Sequence, residues 1–544
     1  MNAPVADPIT TLRAAISASV ADLHDGVREA TLERPPRAEL GDYSTNAAML
    51  AAPVLGSAPR DVASRLATGV ASRLGDGLER IEVAGPGFLN LHMSETWMRG
   101  AASHLLARGE RFGADVAESP RSVLVEFVSA NPTGPLTVAS GRHAAYGDSL
   151  ARLLSFAGHR VSREYYLNDA GAQVRLFGES IAARMGGRPV PEGGYEGAYV
   201  AELGERMAIE GAPADDPAVL AARGVELMVD SIAATLERAR VHFDTWSSER
   251  ELHEADAIEA SIESLRSRGL VYDSEGAVWL RTSEFGDDKD RVLVRANGEP
   301  TYFASDIAYH RDKLVRGPDL MIDVLGADHH GYVPRMRAAI AALGAPSEAF
   351  EVSIMQLVNL IEDGERSRMS KRRGEFATLD GLVGDIGVDA ARFFLVGRSH
   401  ETPIDIDLEL ARRQSADNPV YYVQYAHARI CSLFRAAANG RGDSGNAAPA
   451  GAPAGSLEPA ERALISRLLD FPDQVARATQ AREPHAIGTY VREVAADFHA
   501  FYRDCRVVGA GAGLEAARLE VCGAARLVIA RSLDLLGIEA PEEM

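Results

Sequence analysis

Tyr302 and Asp306 lie four positions apart in the run EPTYFASDIAYHRDKL, residues 299–314. If that run is helical, one turn separates them and both face the same way. A carboxylate beside an aromatic ring suits a guanidinium, which pairs in bidentate fashion and stacks on rings. A buried, mutually satisfied Asp–Tyr pair would use the same spacing. A second run, ERSRMSKRRGEFATLD at 365–380, sets Lys371 in a dense basic loop ahead of Gly374. A mobile loop of that kind could close over a triphosphate and neutralise charge developing during displacement at phosphorus. A merely solvated basic loop would read the same. Only three of the 57 basic residues are lysines, namely Lys289, Lys313 and Lys371, so a lysine kept here stands against a strong arginine bias. In a third run, DVLGADHHGYVPRM at 323–336, Asp328, His329 and His330 follow a strand-like segment ending at Gly326. Adjacent residues rarely ligate one ion together and no further cluster supplies partners. Polar contacts to a ligand at a sheet edge are therefore expected, and no metal held by the protein.

A fourth run, VEFVSANPTGPLTVASGRHAAYGDSLARLL at 125–154, ties these residues to an architecture. A strand ends in a Pro/Gly-rich turn, and a helix begins near Ser140 or Gly141. Ligands of open α/β sheets bind beyond the carboxyl ends of the strands. A helix N-terminus placed there offers free N–H groups and a positive dipole end to a phosphate. Strand–turn–helix units are common, so alone this marks a candidate nucleotide site and no more. Around it, strands expected over Ser122–Val128, Val161–Tyr166, Val292–Arg295, Leu320–Leu325 and Glu351–Leu357 alternate with helices such as Arg142–Ala157. That alternation favours a doubly wound parallel sheet, interrupted by a long helical insertion from about 171 to 291.

Residues 1–108 read as a small α+β domain. Ile9, Leu12, Ile16, Val20 and Leu23 keep helical spacing, Pro59–Leu74 suits a second helix, and IEVAGPGFLNLHM is strand-like. Residues 405–544 read as nearly all helical, with a Gly/Ala/Pro-rich loop over 440–455. The expected division is 1–108, 109–404 and 405–544.

At 46% apolar and 25% charged residues the chain has the make-up of a soluble globular protein. It shows neither a membrane-spanning apolar run nor a leader with a basic start. Cys431, Cys505 and Cys522 form no zinc pattern, and their odd count argues against a disulfide framework. A cytoplasmic setting fits. The net charge of -21 would repel a nucleic acid, but 411–544 hold 15 Arg against 16 Asp and Glu. A near-neutral segment in an acidic chain could accept a polyanion locally, and a helical domain without that role would look the same.

Taken together, these segments resemble the class I arginyl-tRNA synthetases over essentially the whole chain. ELGDYSTNAAMLAA and EVAGPGFLNLHM resemble that family's N-terminal, tRNA-contacting domain. EFVSANPTGPL, REYYLNDAGAQ, GADHHGY and RMSKRRGEFATL resemble its catalytic domain. NPVYYVQYAHARICSLF and LDLLGIEAPEEM resemble its helical anticodon-binding domain. The resemblance implies an α/β fold: a Rossmann-type catalytic domain between a small α+β domain and an all-α bundle. It implies an enzyme that joins L-arginine to tRNA(Arg) using ATP, with Mg2+ carried by the nucleotide, working as a monomer.

The resemblance also assigns roles. Glu126 and Asp306 would bracket the guanidinium with Tyr302 against the side chain, and Asn131 and His329 would contact the amino-acid end. Arg368, Met369, Ser370 and Lys371 match the KMSKS loop on ATP. Tyr421, Tyr425 and Met544 would meet the anticodon, although stacking in the core would also suit the tyrosines. One departure stands out. The family's His-x-Gly-His, which serves ATP, is here Thr137-Val138-Ala139-Ser140. Three readings follow: the hydroxyls of Thr137 and Ser140 donate in place of the histidines; His143, one turn on, substitutes in part; or the chain is a non-catalytic, tRNA-binding paralogue.

Overall fold

The computed structural model describes residues 7–28, 30–35, 37–366, 377–442 and 456–544. Its centre is a parallel sheet of five strands: β1 (Ser122–Glu126), β2 (Arg160–Leu167), β3 (Thr245–Ser248), β4 (Leu320–Gly326) and β5 (Phe350–Met355). Their order is β5-β4-β1-β2-β3. Val123 to Glu126 are all buried, as a central strand covered on both faces requires. The chain runs outward from β1 through β2 to β3, then returns to lay β4 and β5 on the other side of β1. This reversal opens a crevice between the carboxyl ends of β1 and β4, where open α/β sheets take their ligands. Glu126 and Asp323 face each other there as register partners.

Two helices bear on the crevice, α1 (Val138–Phe156) and α2 (Tyr302–Val315); α3 (Val388–Val396) packs on α1, and α4 (Pro419–Gly442) packs on α3. Thr137 caps α1, its side chain accepting from the Ser140 backbone N–H. The helix thus starts a turn's fraction earlier than the Ser140–Gly141 boundary read from the sequence. Gly147 allows α1 to lie on the strand turn, since a Cβ there would overlap the Phe127 ring.

Two sequence expectations change. The strand expected at Val292–Arg295 is Arg291–Val294, and it leaves the parallel sheet for a three-stranded antiparallel one with Ala277–Leu280 and Val271–Ser274. Only Leu293 of its four residues is buried, too little for a strand covered on both faces. The segment from 171 to 291 is not wholly helical either. It carries β3, whose four residues Thr245–Ser248 are too short and polar to read as a sheet strand. The helices Gly171–Met185, Ala198–Ile209 and Pro217–Arg238 enclose a core of their own around Phe177 and Met207.

Ahead of the parallel sheet, Leu32–Glu33, Tyr43–Thr45, Phe88–Met93 and Leu78–Ala84 form an antiparallel sheet in that order. After it, α4 is followed by Pro459–Leu469, Phe471–Ala481, His485–Asp504 and Ala512–Leu535. Among the described residues no helix is long and apolar enough to cross a membrane.

Candidate functional site

The floor of the crevice is a buried charge cluster. Lys313, from α2, has no exposed surface; its Nζ donates to Asp323 Oδ1 at 2.8 Å and to the Glu126 carboxylate. It also stands 4.4 Å from the Tyr309 ring centroid. Burial alone would lower the lysine pKa, but Asp323 and Glu126 hold it above the usual range. Burial likewise works against ionising Asp323, yet Lys313 and His310 carry it well below the usual carboxylate range. Glu126 has its second oxygen taken by the Ser129 hydroxyl at 2.8 Å. The carboxylate expected to bracket a ligand guanidinium therefore already holds an internal cation. The sequence could not show this because Lys313 lies 187 positions away.

Two neighbouring turns complete the floor. Val128 and Ser129 adopt positive φ values of 70° and 42°, a strained turn of the kind found at functional sites. Strand β2 holds that turn in place: the Tyr165 hydroxyl donates to Ala130 O at 2.9 Å, and the Tyr166 N–H donates to Ser129 Oγ at 3.2 Å. Asn131 follows, half-buried, its amide bonded to Gln173 and accepting from Asn168 Nδ2 at 2.8 Å.

The wall is more open to a ligand. Asp306 is half-buried and accepts from the Tyr332 hydroxyl. Burial raises its pKa, opposed by the Tyr332 hydrogen bond and by His310 and His329. Glu249 begins the short helix after β3, and among the described residues its carboxylate accepts no hydrogen bond. Burial, then the charges of Asp306 and Asp169, push its carboxyl up to about 7. The buried Tyr166 hydroxyl, without a partner among the described residues, is raised by burial and then by Glu249, Asp306, Glu126 and Asp169. Four carboxylates thus act on one tyrosine. Glu249, Asp169, Tyr166 and Tyr332 were not singled out in the sequence. The signal available was local only: acids just beyond the ends of β2 and β3, where ligand groups collect.

The remaining expected residues fall around this wall. Tyr302 keeps its helical spacing from Asp306, but as the first residue of α2 it is 68% exposed, and the tyrosine bonded to Asp306 is Tyr332. His329 is exposed, with its ring edge-on to Tyr332 at 6.2 Å.

His253 Nε2 stands 3.9 Å from Glu249 Oε1, and among the described residues no Lys or Arg pairs with this acid. Such a carboxylate favours a cation, which must find it ionised. We expect the KM of a guanidinium substrate to fall as pH rises through about 7 and then level off. Binding near that pH should release protons, because the cation pulls the carboxyl pKa down. Initial rates over pH 5.5–8.5 check this, and Glu249→Gln should flatten the profile.

At the other end of the crevice lies the start of α1. Thr137 Oγ1 and Ser140 Oγ stand 3.2 Å apart, and Ala139 is exposed on the first turn. The strand turn and the stretch after the basic loop meet here: Val138 N–H donates to Ala377 O at 3.0 Å, and Leu379 N–H to Leu136 O at 2.9 Å. Arg142, nearly fully buried, donates to the carbonyls of Gln356, Ser399 and Thr402 at 2.7, 2.9 and 2.8 Å. His143 lies near Gly326 and the Asp328–His329 pair. Burial, then Arg142, lowers its pKa to about 4, so its ring is neutral. Arg368, Met369, Ser370 and Lys371 lie outside the described residues, whose flanks here are Arg366 and Ala377.

The chain matches known proteins over nearly its whole length. The arginyl tRNA synthetase N terminal domain matches residues 10–93. The tRNA synthetases class I (R) catalytic domain matches 102–184 and 214–411, and the DALR anticodon binding domain matches 423–544. The chain is 46% identical to an arginine–tRNA ligase of Frankia alni, over 99% of this chain and all of that one. It is 45% identical to one of Desulforudis audaxviator, over 98% of this chain and 97% of that one. The chain belongs to the class I arginyl-tRNA synthetase family. Among solved structures, the Thermus thermophilus arginyl-tRNA synthetase superposes with a TM-score of 0.77 at 25% identity, over 98% of this chain and all of that one. A Campylobacter jejuni protein described as a putative arginyl-tRNA synthetase gives 0.75 at 35% identity, over 83% of this chain and all of that one.

In this arginyl-tRNA synthetase family member, aromatic rings line one side of α4 and its neighbour, from just before the stretch matched by the DALR domain into it. Tyr421 and Tyr425, both half-exposed, are near-parallel with centroids 6.2 Å apart. Arg429 stands 4.8 Å from the Tyr425 ring centroid and 4.7 Å from that of Tyr502. Tyr421 begins the row, and 52% of Met544 is exposed at the chain end.

Proposed function

We propose that this chain is an arginine–tRNA ligase: it activates L-arginine with ATP to arginyl-adenylate and transfers the arginyl group to the 3′ end of tRNA(Arg). One observation carries the reading. Carboxylates gather around Tyr166 at the carboxyl edge of the sheet, beside a helix start able to take a triphosphate. Asp306 and Glu249, which pair with no Lys or Arg among the described residues, would take the guanidinium, with Tyr332 fixing Asp306. Glu126, bound to Lys313, would shape the floor, and Tyr302 would close over the side chain. Asn131 and His329 would hold the amino-acid end, with the Asn131 amide oriented by Asn168 and Gln173.

The arginine carboxylate attacks the α-phosphorus and pyrophosphate leaves; the ribose hydroxyl of the terminal tRNA adenosine then takes the arginyl group and AMP leaves. Positioning and charge stabilisation are what the protein supplies. Thr137 and Ser140 would donate to phosphate, Ala139 would border the adenine, and Arg368, Met369, Ser370 and Lys371 would close over the triphosphate. Mg2+ would travel with the nucleotide. The parts 1–108, 109–404 and 405–544 would contact tRNA, carry out the chemistry and hold the anticodon, the last through Tyr421, Tyr425 and Met544. The protein would act as a monomer in the cytoplasm.

Arginine-dependent pyrophosphate exchange, with and without tRNA, is the test, and silence in both would defeat the reading. Thr137→Val removes one donor while Ser140 keeps another. The expected fall in exchange is therefore at or below the about 10²-fold cost of losing a preorganised donor. Thr137→His and Ser140→His, assayed beside the parent, show whether hydroxyls or imidazoles serve better at this helix start.

A further inference from the structure

The turn that opens the C-terminal tail is joined to the nucleotide helix through one buried guanidinium. Arg392, on α3, is 2% exposed. Its Nη2 donates to Asp148 Oδ2 at 2.6 Å, its Nε to Leu536 O at 2.8 Å, and its Nη1 to Ala239 O at 2.9 Å. Three segments far apart in sequence thus share one planar, fixed fork: α1, the end of the helix Pro217–Arg238, and the end of the helix Ala512–Leu535. Gly537 follows with φ +68°, and a Cβ there would overlap the guanidinium, so the turn needs glycine on both counts.

Beyond the turn the tail stays tied. Glu539 N–H donates to Asp389 Oδ1 at 3.2 Å, and Gln424 Nε2 donates to Asp389 Oδ2 at 2.8 Å and to Glu539 O at 3.0 Å. Arg240 pairs with Asp389 and, at 2.7 Å, with Glu539. His427 Nδ1 bonds Pro541 O at 2.8 Å. Gln424 precedes Tyr425 on α4, so the residues holding the tail adjoin the aromatic row.

Asp148 lies on the helix that Thr137 caps and whose first turn carries Ser140. Buried charge pairs have few tolerable alternative geometries, since a displaced partner leaves the other charge unpaired. We propose that Arg392 is a positioning residue for amino-acid activation. It makes the C-terminal tail part of the support that sets α1 against the nucleotide. This rests on the ligase reading above.

The test uses the full chain with Gly537→Ala, which crowds the turn off Arg392 while keeping its charge, and Gln424→Ala, which frees the tail from the α4 side. Pyrophosphate exchange at saturating arginine and ATP with tRNA present is measured beside both KM values, the tRNA Kd and thermal unfolding. Gly537→Ala should lower kcat by about 10- to 100-fold, with the arginine KM and tRNA Kd changed by no more than about threefold. Gln424→Ala should act in the same direction, and it decides the matter if Gly537→Ala does not fold. A folded variant whose kcat stays within about twofold of the parent overturns the proposal, as does a loss seen only as weaker tRNA binding. A parent without arginine-dependent exchange overturns the ligase reading beneath it, and the proposal with it; that control separates the two failures.

Discussion

Asp306→Asn should nearly abolish the use of arginine while leaving the fold and the handling of ATP intact. Asparagine keeps the size of the side chain and an oxygen for the Tyr332 hydroxyl, so the local hydrogen bond survives. What disappears is the charge that a guanidinium would meet in a half-buried site. Removing one partner of a desolvated, hydrogen-bonded charge pair costs about 2–5 kcal/mol, or about 30-fold to several thousand-fold in kcat/KM. The loss should appear in kcat/KM for arginine, with the KM for ATP little changed. A kcat/KM within about threefold of the parent would remove Asp306 from the binding of arginine. Glu249→Gln offers the companion measurement. With two acids sharing one cation their effects should not add, and the double variant should lose less than the sum of the single losses.

The second large effect concerns stability. Lys313→Met leaves Glu126 and Asp323 side by side on adjacent strands, both buried, with no cation between them. Breaking a buried pair by removing one partner costs about 3–5 kcal/mol. Denaturant unfolding of the variant should show that loss, and it should shrink toward acidic pH. There a carboxyl freed from the lysine is protonated more readily in the folded than in the unfolded chain, so the folded state binds the extra proton and gains stability as pH falls. Adding Glu126→Gln should restore part of the loss. Unchanged stability in Lys313→Met would mean that the triad is not held as these contacts describe.

Several features of the site were legible in the chain itself. The strand starting at Ser122, the helix after it, and the turn from Tyr302 to Asp306 all depend on neighbours within a few residues, and the periodicities of helix and strand report such neighbours directly. The aromatic row from Tyr421 to Arg429 is local for the same reason. Lys313 stood out as one of three lysines, but its part could not be read. Lys371 was prominent in its basic loop, and it lies outside the described residues.

Pairings across the sheet were not legible. Arg291–Val294 carries the residue types of a strand, yet which sheet it joins depends on a hairpin partner, and β3 is four polar-leaning residues that become a strand only because β2 offers a free edge. Glu126 shows the same limit at the level of one side chain. The family resemblance gives it a ligand contact, while its partner in the structure arrives from α2. Residue order thus determined the elements, their caps and the chemical types present at the crevice. Tertiary structure decided which acids the lysine neutralises, because a buried lysine can neutralise only the carboxylates that folding brings within reach: Glu126 and Asp323, and neither Asp306 nor Glu249.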